Sequence, residues 1–127
     1  MFIFKNRRNI FLLTTLFWTA GCVPHASYYS GQEQRDIRYY YQAERLYNLS
    51  KYAKAVTAYK RYLNHYPQTP LTQPALYYLG KSYQEILKYD QALEIYRQLM
   101  DKYQSGFWVD RAREAYIDLE NLNSKLK

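Results

Sequence analysis

Cysteine occurs once and histidine twice in the 127 residues. A single thiol closes no intramolecular disulfide, and His25 and His65 cannot supply a zinc cluster or a repeated metal-ligand spacing. Neither a metal nor a cofactor is expected. A Lys/Arg run and the glycine-aromatic motif of an RNA-binding sheet are both missing, and most basic residues alternate with Asp and Glu, so nucleic acid is not an expected partner. The net charge of +7 shrinks on division: Lys5, Arg7 and Arg8 are three of the 18 basic residues, and the other 15 face 11 acids, an excess of +4. Glu33, Glu44, Glu85, Glu94 and Glu120 fall at polar helix positions without a recognisable carboxylate pair. His65 stands beside Tyr66 and Pro67, where a helix should end, and reads as a partner for terminal carbonyls rather than as a base. The chain is one small domain, too short for a two-domain enzyme, and catalysis is not expected. What it has in quantity is tyrosine, 17 against five Phe and two Trp. Tyrosine supplies apolar area but keeps a hydroxyl that must reach water or a partner, which suits thin, half-exposed helix packing.

Long hydrophobic runs are also lacking. The longest, Ile10 to Ala20, follows a basic patch at Lys5 to Arg8. Eleven residues rise only ~16 Å as a helix, about half of a ~30 Å hydrocarbon core, so the run reads as the apolar region of an export signal. It ends in Thr19-Ala20-Gly21-Cys22, which resembles the lipobox of bacterial lipoprotein precursors, with Thr19 where that motif prefers Leu. The resemblance implies removal of residues 1–21 and lipidation of Cys22; two acyl chains make such anchoring effectively permanent. Val23 rather than Asp after the cysteine resembles a lipoprotein forwarded to the outer membrane, on its periplasmic side, with the inner membrane as the alternative. Residues 22–32, with Pro24, Ser27, Ser30 and Gly31, read as a tether. Ten residues span at most ~35 Å, which keeps the folded part close to the bilayer.

From residue 33 to 127 the pattern is all-α. Tyr52, Ala55, Val56, Tyr59, Tyr62, Leu63 and Tyr66 recur 37 residues later as Tyr89, Ala92, Leu93, Tyr96, Leu99, Met100 and Tyr103. The spacing follows one face of a helix. At the same shift Tyr39, Ala43, Leu46 and Leu49 recur as Leu76, Gly80, Tyr83 and Ile86, so a helical hairpin is present twice. Ala43, Gly80, Ala55 and Ala92 are the small residues that close helix crossings need. Pro67 and Pro70 separate the copies, Thr69 or Thr72 can cap the next helix, Pro74 fits only a first turn, and Asp90 suits the positive end of the fourth helix. After Gly106 a fifth helix carries Trp108, Ala112, Ala115, Leu119, Leu122 and Leu126 at helical spacing. Phe107 and Trp108 read as core anchors, with an exposed docking patch as the alternative.

These positions resemble the tetratricopeptide repeat: Ala43, Tyr52, Ala55, Tyr59 and Pro67 in the first unit, and Leu79, Gly80, Tyr83, Tyr89, Ala92 and Tyr96 in the second. The departures are Gln104 in place of the closing proline, and Ser50 and Leu87 where glycine is common between the helices. The resemblance implies a solenoid of about two repeats, 36–70 and 71–106, with a capping helix at 107–126. Five helices make only two and a half units where about three are usual, so a partner or a second copy could complete the core. The 37-residue period and the segment NHYPQTPLTQPALYYLGKSY are similar to those of envelope lipoproteins of the β-barrel-assembly (BamD-like) and Tol-Pal-associated types.

By the repeat pattern the first helix of each hairpin lines a concave face, which assigns Tyr40, Glu44, Tyr47 and Asn48, then Tyr77, Lys81 and Gln84, to a partner-binding groove. Tyrosines there can stack on or hydrogen-bond a peptide or helix at modest entropy cost. The lysine-rich pattern of carboxylate clamps is missing. The expectation is a lipid-anchored, periplasm-facing adaptor or scaffold for another envelope protein, in outer-membrane protein assembly. The alternatives are a pilot or scaffold lipoprotein of a pilus or secretion system, a Tol-Pal-linked factor, or a self-associating structural module that forms homo-oligomers.

Overall fold

The computed structural model describes residues 30–126, with side chains from residue 34 onward. The signal segment, Cys22 and nearly all of the expected tether lie outside the described residues. Five helices follow in order: α1 (Ser30–Asn48), α2 (Tyr52–His65), α3 (Thr72–Glu85), α4 (Tyr89–Lys102) and α5 (Phe107–Leu126). No strand occurs among the described residues, and none of these helices is long and apolar enough to cross a membrane. α1 begins at Ser30, inside the stretch read as tether.

The two hairpins turn in the same way, 37 residues apart. At the end of α1, Ser50 N–H donates to the Tyr47 carbonyl (2.8 Å) and Lys51 N–H to that of Leu46 (2.9 Å). At the end of α3, Leu87 N–H donates to Gln84 (3.0 Å) and Lys88 N–H to Tyr83 (2.9 Å). Each is a Schellman pair, which needs a left-handed residue at its centre. That residue is Ser50 (φ 56°) in one and Leu87 (φ 60°) in the other, at the two positions where the repeat commonly has glycine. A β-carbon costs roughly 1–2 kcal/mol in that conformation, and Leu87 is 73% exposed, so its side chain repays little of this by packing. Leu87→Gly is therefore expected to raise stability by about 0.5–1 kcal/mol, the larger unfolded-state entropy of glycine taking back the rest. A urea midpoint at or below that of the parent protein would contradict this account of the turn.

The connector between the hairpins departs from simple capping. Leu71, not a threonine, precedes α3 and offers no side-chain cap. Thr69 Oγ1 instead accepts from Leu71 N–H (3.3 Å) and shares a hydrogen bond with the Tyr62 hydroxyl. Thr72 Oγ1 accepts from Thr69 N–H (2.9 Å) and donates to the Tyr66 carbonyl (3.3 Å). Each hydroxyl thus bonds both the end of α2 and a backbone N–H of the connector, and the residue that precedes α3 is Leu71 rather than a threonine. Pro74 lies in the first turn of α3, where its missing N–H leaves no ladder bond broken. Asp90 does open α4, and Asn123 of α5 donates to its carboxylate (3.1 Å).

α3 is the central helix. It packs on α2, α4 and α5, and the Ala75 and Leu79 side of it closes the core of the first hairpin while Leu76 closes that of the second. Ala43, Ala55 and Ala92 are completely buried at their crossings, as their size predicts. At Gly80 the fit is tighter still: a β-carbon there would lie 2.5 Å from Tyr96 Cε1. Leu49, Leu122 and Leu126 differ from the periodic reading. Leu49 falls in the turn after α1 and is 54% exposed, while α5 has 20 residues against 14 in α4, so its last leucines run past the described helix they pack beside.

Candidate functional site

The first helices α1, α3 and α5 bring their aromatic side chains into one line. Tyr47 of α1 meets Tyr78 of α3 edge-on, with ring centres 5.1 Å apart, and Tyr52 from the start of α2 flanks it at 5.4 Å. Tyr78 contacts Trp108 of α5 at 5.7 Å, and Trp108 meets the Phe107 ring edge-on at 5.0 Å. Tyr77 closes the gap between them, 5.4 Å from Trp108. Behind the line, Tyr78 stacks on the buried Tyr59 at 6.3 Å and 11°. The edge-to-face and stacked contacts among these each contribute about 0.5–1.5 kcal/mol beyond buried area, which favours the row's arrangement in the absence of a partner. Glu44 and Arg111 act electrostatically on Tyr78 from either side, and Glu85 acts on Tyr47.

Burial pushes the Tyr47 phenol up to about 12, with Glu85 next in effect. Desolvation also raises Tyr78, reinforced by Glu44 and Tyr77 and opposed by Arg111. Both are therefore neutral hydroxyls near neutral pH, able to donate or to accept. A row of half-buried rings with neutral hydroxyls, flanked by charges of both signs, can stack on apolar side chains and hydrogen-bond a partner's backbone.

The expected groove residues separate into two groups. Glu44, Tyr47 and Tyr77 converge around Tyr78, while Lys81 is half-buried and Asn48 exposed on the same helices. Gln84 is half-buried and accepts from the Tyr96 hydroxyl (3.2 Å), so its amide is partly committed to the core. Tyr40 does not line a groove. It is 5% exposed, sits edge-on to Tyr59 (6.1 Å) and Tyr62 (5.8 Å), and donates to Glu44 (3.4 Å), because its side of α1 is covered by α2. Phe107, read as a core anchor, is 66% exposed, with the Arg111 guanidinium 6.0 Å from its ring centre. Trp108 is half-buried and joins the row.

Tyr78 is the residue that sequence reading missed. It adjoins Tyr77, and both flank the buried stripe of Ala75, Leu76 and Leu79, so periodicity alone cannot choose which ring bridges to α1. Its partner Tyr59 is unusual in another way: it is fully buried and its hydroxyl finds no hydrogen-bond partner among the described residues. An unpaired buried hydroxyl costs about 1–3 kcal/mol. Tyr59→Phe is thus expected to leave stability unchanged or raise it by about 1 kcal/mol, unlike most core substitutions. A clear loss in thermal midpoint would show that the hydroxyl has a partner.

His65 lies exposed in the last turn of α2, its ring 6.2 Å from that of Tyr66. Among the described residues no group of three His, Cys, Asp or Glu is placed to hold a metal ion.

Paired helices of equal period, stacked through a central α3, define the class as a helical-hairpin solenoid. The family described as tetratricopeptide repeat matches residues 39–69 and 74–105, which are the two hairpins, and the chain is a tetratricopeptide-repeat protein. No curated protein matches its sequence.

Proposed function

We propose that the chain is an adaptor that binds another protein of the cell envelope along the aromatic row, held at a membrane by lipid on Cys22. Tetratricopeptide repeats serve as protein-interaction scaffolds. The row itself carries the reading: Tyr47, Tyr78, Trp108 and Phe107 form a continuous ring-to-ring path across three helices from two hairpins and the cap. Aromatic anchors of this kind dominate interface energetics when they are pre-ordered. The Thr19-Ala20-Gly21-Cys22 motif supports the membrane attachment, and the 37-residue period supports a role among envelope-assembly lipoproteins of the outer membrane.

In-cell photo-crosslinking tests the row. A photoreactive residue at Asn48, Tyr77 or Phe107 should capture one and the same envelope protein, while Lys54 and Gln91, exposed on the second helices, should not. Capture of the chain itself from Phe107 would favour the self-associating reading, to which the exposed Phe107 and Ile117 of α5 lend weight. Equal capture from row and control positions would remove the row as the working surface. The anchor has its own test: Cys22→Ala should leave an uncleaved or soluble form, and a variant that is still processed and membrane-bound would refute lipidation at that residue.

A further inference from the structure

The basic excess is not spread along the solenoid. Residues 30–65 hold seven basic and three acidic side chains, whereas residues 66–127 hold eight of each, so the whole +4 found after residue 21 belongs to the first hairpin. α2 contributes Lys54, Lys60 and Arg61 and no acid at all. Of the described acids in α1, Asp36 is buried and Glu44 is engaged with Tyr40 and Tyr78 at the aromatic row. Among the described residues, no basic side chain of this hairpin is in an ion pair. The contrast with the rest of the chain is direct: the three ion pairs, Arg97–Glu94, Arg111–Glu114 and Arg113–Asp110, all lie in α4 and α5, and none among the described residues involves the first hairpin.

These cations are organised. An open groove of ≈ 640 Å³ between α1 and α2 is lined by Arg38, Tyr39, Tyr41, Gln42, Arg45 and Arg61. Arg61 is held in place by Gln42 (3.2 Å) and by the face of Tyr39, 5.3 Å from its ring centre. Arg38 and Arg45 are exposed and have no hydrogen-bond or ion-pair partner among the described residues, and Tyr41 is 55% exposed beside them. Guanidinium groups bind phosphate in a forked geometry, and tyrosine favours the boundary between headgroups and acyl chains. The groove also belongs to the hairpin nearest the apolar segment: α1 begins ten residues after Ala20, at most ~35 Å of chain.

We propose that the outer face of the first hairpin docks on an anionic phospholipid surface, with Arg38, Arg45 and Arg61 on headgroup phosphates and Tyr41 at the interface. Charge complementarity chooses the occupant, since clustered cations beside a membrane-proximal segment are drawn to anionic headgroups. Docking there fixes the orientation of the solenoid and leaves the aromatic row, on the other side of α1, free for a protein. The proposal borrows only membrane proximity from the adaptor reading, and nothing from the row.

Amide hydrogen exchange of the full chain, bound to vesicles of phosphatidylcholine alone or of phosphatidylcholine with phosphatidylglycerol, tests it. Exchange in α1 and α2 should slow several-fold on the anionic vesicles relative to the neutral ones, with α4 and α5 unchanged. Arg38→Gln with Arg45→Gln, two exposed positions whose loss leaves helix content by circular dichroism intact, should abolish that difference. Equal exchange on both vesicles, or a double variant that behaves as the parent, would overturn the proposal; so would the same slowing by inorganic phosphate alone, which would make the groove an anion site and not a docking face. Vesicle attachment itself, which the N-terminal segment provides to parent and variant alike, reports on the anchor and fails or succeeds separately.

Discussion

Tyr96→Ala is expected to destabilise the protein by about 3–5 kcal/mol, the usual cost of deleting a large core aromatic. Tyr96 is fully buried, its ring fills the space that Gly80 leaves open, and its hydroxyl reaches Gln84 at 3.2 Å. It also lies 6.1 Å from Tyr77, so the same truncation removes support from behind the aromatic row. A domain of this size has about twice that stability in total, and in a solenoid the loss at one interface is not recovered at another. The converse substitution tests the same contact from the other side. Gly80→Ala gains helix propensity of about 1 kcal/mol but must displace the Tyr96 ring, and overpacking costs typically 1–3 kcal/mol, so the net effect is a loss. Combining Gly80→Ala with Tyr96→Leu should be less harmful than the sum of the two single changes, because the methyl then meets a smaller side chain. Strict additivity in denaturant midpoints would mean that the two residues are not in contact.

Alkaline pH should unfold the protein cooperatively not far above pH 10. Burial raises the phenols of Tyr40, Tyr59 and Tyr96, with Glu44 next for Tyr40, Tyr40 next for Tyr59 and Tyr77 next for Tyr96. In the unfolded chain each ionises near 10. The folded chain thus binds more protons than the unfolded one above that value, and stability, fully present below pH 10, declines as pH rises. Three such groups together lose about 4 kcal/mol per pH unit once the unfolded phenols are ionised. Phenolate absorbance followed alongside far-ultraviolet circular dichroism gives the check: a steep rise in phenolate that coincides with helix loss. A single smooth titration of all 17 tyrosines around pH 10 with helix content preserved would refute the buried placement.

Much of this architecture is legible in the sequence because two copies of one pattern constrain each other. Ala43 and Gly80, or Ala55 and Ala92, mean little singly; at a common shift of 37 they locate four crossings. The glycine positions of the turns were equally visible, as the departures Ser50 and Leu87, although only the backbone shows that both are left-handed. The groove was harder to read. A first helix is covered on one side by its own partner and on the next by the adjacent hairpin, so its buried residues do not form a single stripe, and Tyr40, Tyr77 and Tyr78 look alike in a chain where tyrosine builds both core and surface. The ends misled for a related reason. Phe107, Leu122 and Leu126 keep helical spacing, but α5 is the last of the described helices and its outer side packs on none of the others, and spacing says nothing about whether a neighbour exists.

The order of the helices also sets how the molecule is made and unmade. Among the described residues the packed helices are adjacent or next but one in the chain, and the hydrogen bond from Lys102 to the Pro67 carbonyl, spanning 35 residues, has the greatest reach. Short loops close at little entropic cost, so such chains fold on the microsecond-to-millisecond scale and the first hairpin can assemble before the last helix has been synthesised. Opening runs in reverse from the ends, where a helix is held on one side only. Trp108 and Phe107 ride on α5, the last described helix, so a partner that grips them also locks α5 down, and its affinity is coupled to the local unfolding equilibrium of the helix it touches.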